Sequence, residues 1–552
     1  MTLPTQPAPL RRSRWRIALV ATLTVLTTGS LIAAANEGAA ASGSGRPFFS
    51  PGNLLVSGST YATRPGSIVP GVTVLPPGCT SGCATANNDA AYPGVWNNDL
   101  VDGSFGITSP IFLEQLTPSG DLVNTLRVPS PAGPGKDGAV TSFSSKSEMA
   151  LNLSASGRYV TFMGYLSPPD ALDVSNSNTP GVVDPTNPVP GQNYRVVGQV
   201  DSAGMFSFTK TNAYSGNNGR AAYLNDSGGT NVYYTAGNAG NGGNPQPDGI
   251  IAGAGAQLVP PQNAPLRQQQ AGQPTPVGSF NITQLGDKPD KVGKDTNFRG
   301  LTVFNNVVYF TKGSGGNGVN TVYFIDTTGT ACPNGTGLPV PGAALPTSPI
   351  AYDPAVLQTE GVTPYNMCIL QGFPTALKST TAFPFGIWFA NANTLYVADE
   401  GNGDNAFSAQ TGTYSVAAGQ TTAGLQKWIF NGTSWNLAYT LSGGLNLGTP
   451  YTVPGYPTGD NAATGLPWAP ATDGLRNITG RVNRDGTVTI WAITSTVSGS
   501  GDLGADPNQL VTITDPVSAT SAPSGESFQT VQSARSGQVL RGVSFTPGTG
   551  TH

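Results

Sequence analysis

The chain is predicted to be all-β, a six-bladed propeller of four-stranded blades, closed by one blade shared between the N- and C-terminal segments. Three observations predict it. From about residue 140 onward, short segments alternating apolar and polar residues recur between turn residues, the pattern of half-buried strands. Each group of such segments opens in the same way, with a small residue or glycine leading into the first strand. The last segment, 540-LRGVSFTPG, starts a group that the C-terminus cannot finish, and the N-terminal region holds the missing strands. Five or seven blades are the neighbouring solutions. A β-sandwich or a pair of β domains explains the strands equally well, but not the matching openings or the split last group.

Residues 1–41 read as a signal peptide and small-residue linker. Arg11, Arg12, Arg14 and Arg16 precede the uncharged run Ile17–Ala34, and ANEGAAASG follows with residues suited to cleavage. The alternative is an uncleaved signal anchor, since the run approaches the roughly 20 residues that span a bilayer. Residues 42–552 are then a single propeller domain with long loops, expected outside the cytoplasm as a monomer.

The first group begins at 147-SEMALNLSASGRYVTFMGY and continues in YRVVGQVDSAGMFSFTK. The second begins at 219-GRAAYLNDSGGTNVYYTAG, with GAQLVP and PVGSFNI. The third is 298-FRGLTVFNNVVYFTKG, then NTVYFIDTTG and MCILQGF. The fourth is 385-FGIWFANANTLYVADEG, then GLQKWIFNGTSWNLAYTL. The fifth is 475-LRNITGRVNRDGTVTIWAIT, then NQLVTITDPV and ESFQTVQS. The closing blade combines about 540–549 with about 53–130, through 53-NLLVSGS and 111-IFLEQLTPSGDLVNTLRVPS. Circular closure of this kind removes exposed sheet edges.

The fourth group resembles an NHL-type propeller repeat, through 394-TLYVADEGN followed by 424-GLQKWIF, with an insertion from Ala406 to Ala423 that departs from the pattern. The resemblance covers one blade and implies the six-bladed fold. The mature chain also resembles, as a class, uncharacterised secreted bacterial propellers. The NHL family holds binding modules and enzymes alike, so no function follows from it.

Composition narrows the function classes. Of 552 residues 73 are Gly and 47 Pro, and only 10% are charged. Losing the four N-terminal arginines leaves 22 basic against 30 acidic residues, which speaks against nucleic-acid partners. Cys79 with Cys83, and Cys332 with Cys368, form the favoured disulfides of three possible connectivities, in keeping with an oxidising compartment. The single histidine is His552, so a His-based triad and His-ligated metals have no support.

Aligning the six blade openings places Glu148, Arg220, Arg299, Phe385, Arg476 and Arg541 at one register around the channel mouth. Guanidinium groups suit carboxylate, phosphate or sulfate. The functional reading is therefore ligand binding, of an anionic small molecule or a glycan. The structural reading is that each arginine ties blades together through a neighbouring carbonyl or a carboxylate such as Glu148. A carbohydrate-active enzyme or lactonase using carboxylates and possibly calcium is a further expectation, with Asp173, Asp399 or Asp502 as second carboxylate. So is a lyase that neutralises a uronate with arginine and uses tyrosine as base. The last is a surface or matrix protein-interaction module. Calcium is considered at Asp399, Glu400, Asn402 and Asp404, and secondarily at Asp502, Asp506 and Asn508. The competing reading of DEGNGDN is a solvated blade turn. Trp96, Trp388, Trp435, Trp468 and Trp491 are expected mostly in packing.

Overall fold

The computed structural model describes residues 47–61, 68–75, 83–87, 92–93, 96, 105–131, 137–142, 149–174, 195–211, 214, 218–238, 255–259, 278–282, 297–313, 319–332, 335–347, 366–376, 382–500 and 503–550. The predicted signal, Glu148, Cys79 and Asp502 lie outside them. Among the described residues no helix is long and apolar enough to cross a membrane.

Local chemistry sets each meander. In the fourth group, Pro384–Asn391 pairs antiparallel with Thr394–Asp399, placing Phe389 opposite Leu395 and Ile387 opposite Val397. The reversal is an Asx turn, with the Asn393 amide donating to Asn391 Oδ1 at 2.8 Å. Gly424–Phe430 adds to the second strand and Trp435–Leu441 to the third, giving a four-stranded sheet. The fifth group repeats this with Ala471–Val482, Thr487–Val497, Gln509–Pro516 and Gln529–Ser533. In the third, Leu301–Phe304 and Val307–Lys312 meet at Asn305 and Asn306, both at positive φ, as a tight hairpin with the strands' own twist requires. Thr321–Asp326 and Asn366–Leu370 complete it. The second runs through Gly219–Asn225, Val232–Gly237, Ala256–Val259 and Gly278–Ile282.

The first group departs from expectation at its opening. The predicted strand from residue 147 is reduced to Asn152–Leu153, because Met149 sits at φ 67° and Ala150 forms an isolated bridge to Ala221. Tyr159–Tyr165, Arg195–Asp201 and Phe206–Thr211 follow in order. The chain ends pair with each other: Gln538–Phe545 lies against Leu54–Thr60, that strand against Phe105–Leu116, and Leu122–Arg127 outside it. The Ala406–Ala423 insertion folds as a small hairpin, Phe407–Ser408 with Thr413–Tyr414, and the short helix Ser415–Ala418.

The first strands of successive groups touch in a closed cycle: 152–153, 219–225, 301–304, 384–391, 471–482, 538–545, and back to 152–153. This is a propeller-like, all-β arrangement. Its core lies between neighbouring sheets, as where Tyr396, Leu425 and Leu441 of the fourth group meet Val488, Ile490 and Ile513 of the fifth. Glycine makes the close packing at the axis possible. A Cβ on Gly300 would lie 2.0 Å from Phe385 O, and one on Gly386 would lie 2.4 Å from Arg476 O. Cys332 and Cys368 are joined by a disulfide, as favoured from the sequence, and Cys83 is also disulfide-bonded.

Candidate functional site

The register drawn from the sequence places its residues first through their backbones. The carbonyl at or beside the aligned position is held by the preceding group. Arg220 O accepts from Ala150 N at 3.2 Å. Arg541 O accepts from Asn477 Nδ2 at 2.8 Å, and Met149 O from Ser57 Oγ at 2.7 Å. Phe385 O accepts from Thr311 Oγ1. The main chain at these positions therefore fastens one sheet to the next.

Arg220, Arg299, Phe385, Arg476 and Arg541 are all buried. Three of the four arginines belong to one cluster. Glu400, immediately after the strand Thr394–Asp399, takes Arg299 Nη2 at 3.6 Å on Oε1 and Arg476 Nε at 3.3 Å on Oε2. The Arg299 guanidinium also lies 5.7 Å from the Phe385 ring centroid, a cation–π distance. Arg541 Nη2 donates to Tyr61 Oη at 2.6 Å. Burial holds the Arg476 guanidinium below its ordinary range. The nearby Arg541 and Arg299 charges push the same way, and Glu400 opposes them. Arg220 Nη1 donates to Phe298 O at 3.0 Å and to Asn297 Oδ1, so it ties its group to the entry of the next one.

The loop after Asp399 supplies the acidic side of the cluster. The Glu400 amide donates to Phe383 O at 3.0 Å, and its carbonyl accepts from Ser495 Oγ at 2.5 Å. Gly401, at φ 81°, lies so close to Asp473 that a Cβ there would fall 2.4 Å from Asp473 Cγ. Asp473 Oδ2 accepts from Gly403 N at 2.8 Å and Oδ1 from Gln420 Nε2 at 2.5 Å. Burial raises the Asp399 carboxyl to about 7, with Glu400 and Asp473 adding to the effect and the Phe383 and Gly401 amides opposing it. Burial likewise raises Asp473 to about 6, against the Gly403 and Gln420 hydrogen bonds and the Arg476 charge.

The oxygens considered for calcium point to different partners. Asp399 Oδ1 accepts from Gly401 N at 3.0 Å, and Oδ2 accepts from Phe383 N at 2.8 Å and Gln426 Nε2 at 3.2 Å. Asn402 Oδ1 accepts from Asp404 N, and Asp404 Oδ1 from Ala406 N. Glu400 faces the arginines. In the second candidate, Asp506 accepts from Tyr456 Oη and Ser498 Oγ, while Asn508 Nδ2 donates to Thr494 O and Leu540 O. Among the described residues no three His, Cys, Asp or Glu side chains are grouped to hold a metal ion.

Sequence reasoning placed Glu400 in a turn and missed that it joins two arginines. It also missed Tyr61, Gln420 and Asp473. Asp473 stands three residues before Arg476, and that spacing was the available signal.

No family model matches the chain, and no curated protein does. Among solved structures, it is similar to a polysaccharide lyase of family PL25, an ulvan lyase bound to a GlcA(1-4)Rha3S unit. That match has a TM-score of 0.28 and 11% identity, and covers 88% of this chain and 95% of that one. A second PL25 ulvan lyase structure matches at TM-score 0.25 and 11% identity, over 89% and 96% of the two chains. The NHL-type resemblance of the fourth group has no matching family model beside it.

Proposed function

We propose that this chain is an exported six-bladed propeller that binds an anionic extracellular ligand, a carboxylated or sulfated glycan or small acid, at the channel mouth. The closed cycle of first strands and the pairing of the two chain ends support the blade count. The disulfide Cys332–Cys368 is compatible with an extracellular setting. One observation carries the ligand class. Arg299, Arg476 and Arg541 converge from three groups in a chain with few charges, close enough that Arg541 and Arg299 lower the pKa of Arg476. Clustered guanidinium groups in a desolvated site favour oxyanions that accept paired hydrogen bonds, such as carboxylate or sulfate. Phe385 walls the same site, and Glu400 holds two of the arginines in orientation.

A second reading, carboxylate-dependent cleavage of the same ligand, is supported by Asp399 and Asp473, whose raised values of about 7 and about 6 suit proton transfer near neutrality. The test is a glycan and small-acid binding screen on the secreted chain, with and without chelator, repeated on Arg299→Ala/Arg476→Ala. Binding lost in the double variant supports the site, and unchanged binding removes it. New reducing or unsaturated ends in the bound glycan support cleavage, and their absence over long incubation argues against it.

A further inference from the structure

A second buried ionic network lies between the fourth and fifth groups, away from the arginines. Lys427, in the strand Gly424–Phe430, reaches Asp515, at the end of Gln509–Pro516, with Nζ–Oδ2 2.9 Å. Neither side chain has any exposure. Tyr439 Oη donates to Asp515 Oδ1 at 2.6 Å, and Tyr396 Oη donates to Oδ2. Lys427 Nζ is held further by Tyr439 Oη at 3.0 Å and Pro516 O at 2.6 Å. Glu526, on the loop after Asp515, lies near enough that burial and then the Asp515 charge raise its carboxyl. Glu526 Oε2 is buried with no hydrogen-bond partner among the described residues. Apolar side chains of both sheets, among them Leu425, Leu441, Val488 and Ile513, enclose the network.

These parts match the needs of amide formation. A lysine becomes nucleophilic when a dry environment favours its neutral amine. A carboxyl carbon accepts attack when donors stand ready for the charge that develops on its oxygens. A neighbouring carboxyl must take and return a proton. We propose that Lys427 and Asp515 form an intramolecular isopeptide bond, with Glu526 as proton relay and Tyr396 and Tyr439 as donors to the tetrahedral intermediate. The reaction balances within the protein. The starting pair is an ammonium and a carboxylate. One proton moves from Nζ to the carboxyl, leaving amine and acid. The Nζ lone pair bonds to Asp515 Cγ. A second Nζ proton passes through Glu526 to the leaving oxygen, the Cγ–O bond breaks, and one water departs. No oxidant, reductant or other reactant is required. The carboxyl of Glu526, raised to about 7 by burial and by Asp515, is in the protonated form often enough to serve. The bond would join two neighbouring sheets across a sequence separation of 88 residues.

The test is peptide mapping of the purified full chain, reduced and digested with trypsin. The expected product is a branched peptide containing Lys427 and Asp515, lighter than its two parts by the mass of one water and uncut after Lys427. Cleavage after Lys427, with its peptide and that of Asp515 recovered separately at full mass, would overturn the proposal. A second arm uses Glu526→Gln, with folding checked by near-ultraviolet circular dichroism. Bond formation should slow by about a hundredfold or more without the relay. The wild-type rate in a folded Glu526→Gln chain would overturn the role given to Glu526.

Discussion

The arginine cluster and the lysine network are both buried and both join neighbouring sheets, yet they are built differently. Around Asp515, one lysine and two phenols converge on a single carboxylate, and all lie within one pair of sheets. Around Glu400 the cations outnumber the carboxylate: it serves both Arg299 and Arg476, and Arg541 stands near enough to be felt by Arg476. The first arrangement is complete in itself and fits a role inside the protein. The second gathers cationic groups from three first strands, which suits the proposed ligand site. Burial is common to both; the balance of cations to carboxylates separates them.

The largest expected effect is at the lysine network. Asp515→Ala leaves Lys427 buried without its counterion and should cost about 3–5 kcal/mol, read by denaturant unfolding. A loss under about 1 kcal/mol would mean that the network is not the tie between sheets described here. Glu400→Gln should behave differently. It should lose about 1–3 kcal/mol through weakened arginine contacts, yet bind a sulfated or uronate oligosaccharide more tightly at low salt, because the opposing charge is gone. Weaker binding in this variant would show that Glu400 orients the arginines more than it competes with the ligand.

The acidic side of the arginine cluster is sensitive to pH. Asp399 and Asp473 titrate higher folded than unfolded, at about 7 and about 6. The folded state then binds more protons between the ordinary carboxylate range and neutrality, so their contribution to stability is full below about pH 4 and falls as pH rises through those values. Asp399→Asn should flatten that part of the stability profile, measured by unfolding at pH 5 and pH 8. Anion affinity should fall across the same range as the two carboxyls ionise beside the arginines. The smallest effects belong to the turn. Asn402→Ala and Asp404→Ala each remove one short Asx contact and should change stability by about 0.5 kcal/mol or less. Chelator should leave the unfolding midpoint unchanged, and a fall would revive calcium at this loop.

Much of the architecture was legible because strands advertise themselves locally. The alternation in TLYVAD, the Asn305-Asn306 turn and the unfinished 540-LRGVSF are one-dimensional signals of sheet register and closure. The repeated opening brought Arg299, Arg476 and Arg541 to notice, and two of them share Glu400. The Arg220 guanidinium reaches Asn297 and Phe298 of the next group. Register fixes where a side chain starts and not which neighbour claims its end. Glu400 looked like a turn residue because it is one; its second role depends on a loop crossing that brings it beside Arg476. Lys427, Asp515 and Glu526 carry no periodic or spacing signal at all, and only the packing of two sheets brings them together.

The three converging arginines are proposed to form a ligand site. Its most direct test is calorimetric titration of a uronate or sulfated oligosaccharide into the wild-type chain and into Arg299→Ala/Arg476→Ala. Saturable, salt-sensitive binding by the wild type is expected, with a loss of at least about a hundredfold in affinity in the double variant, since each charge-assisted contact contributes about 1.5–3 kcal/mol. Equal affinity in the two proteins would rule the arginine site out.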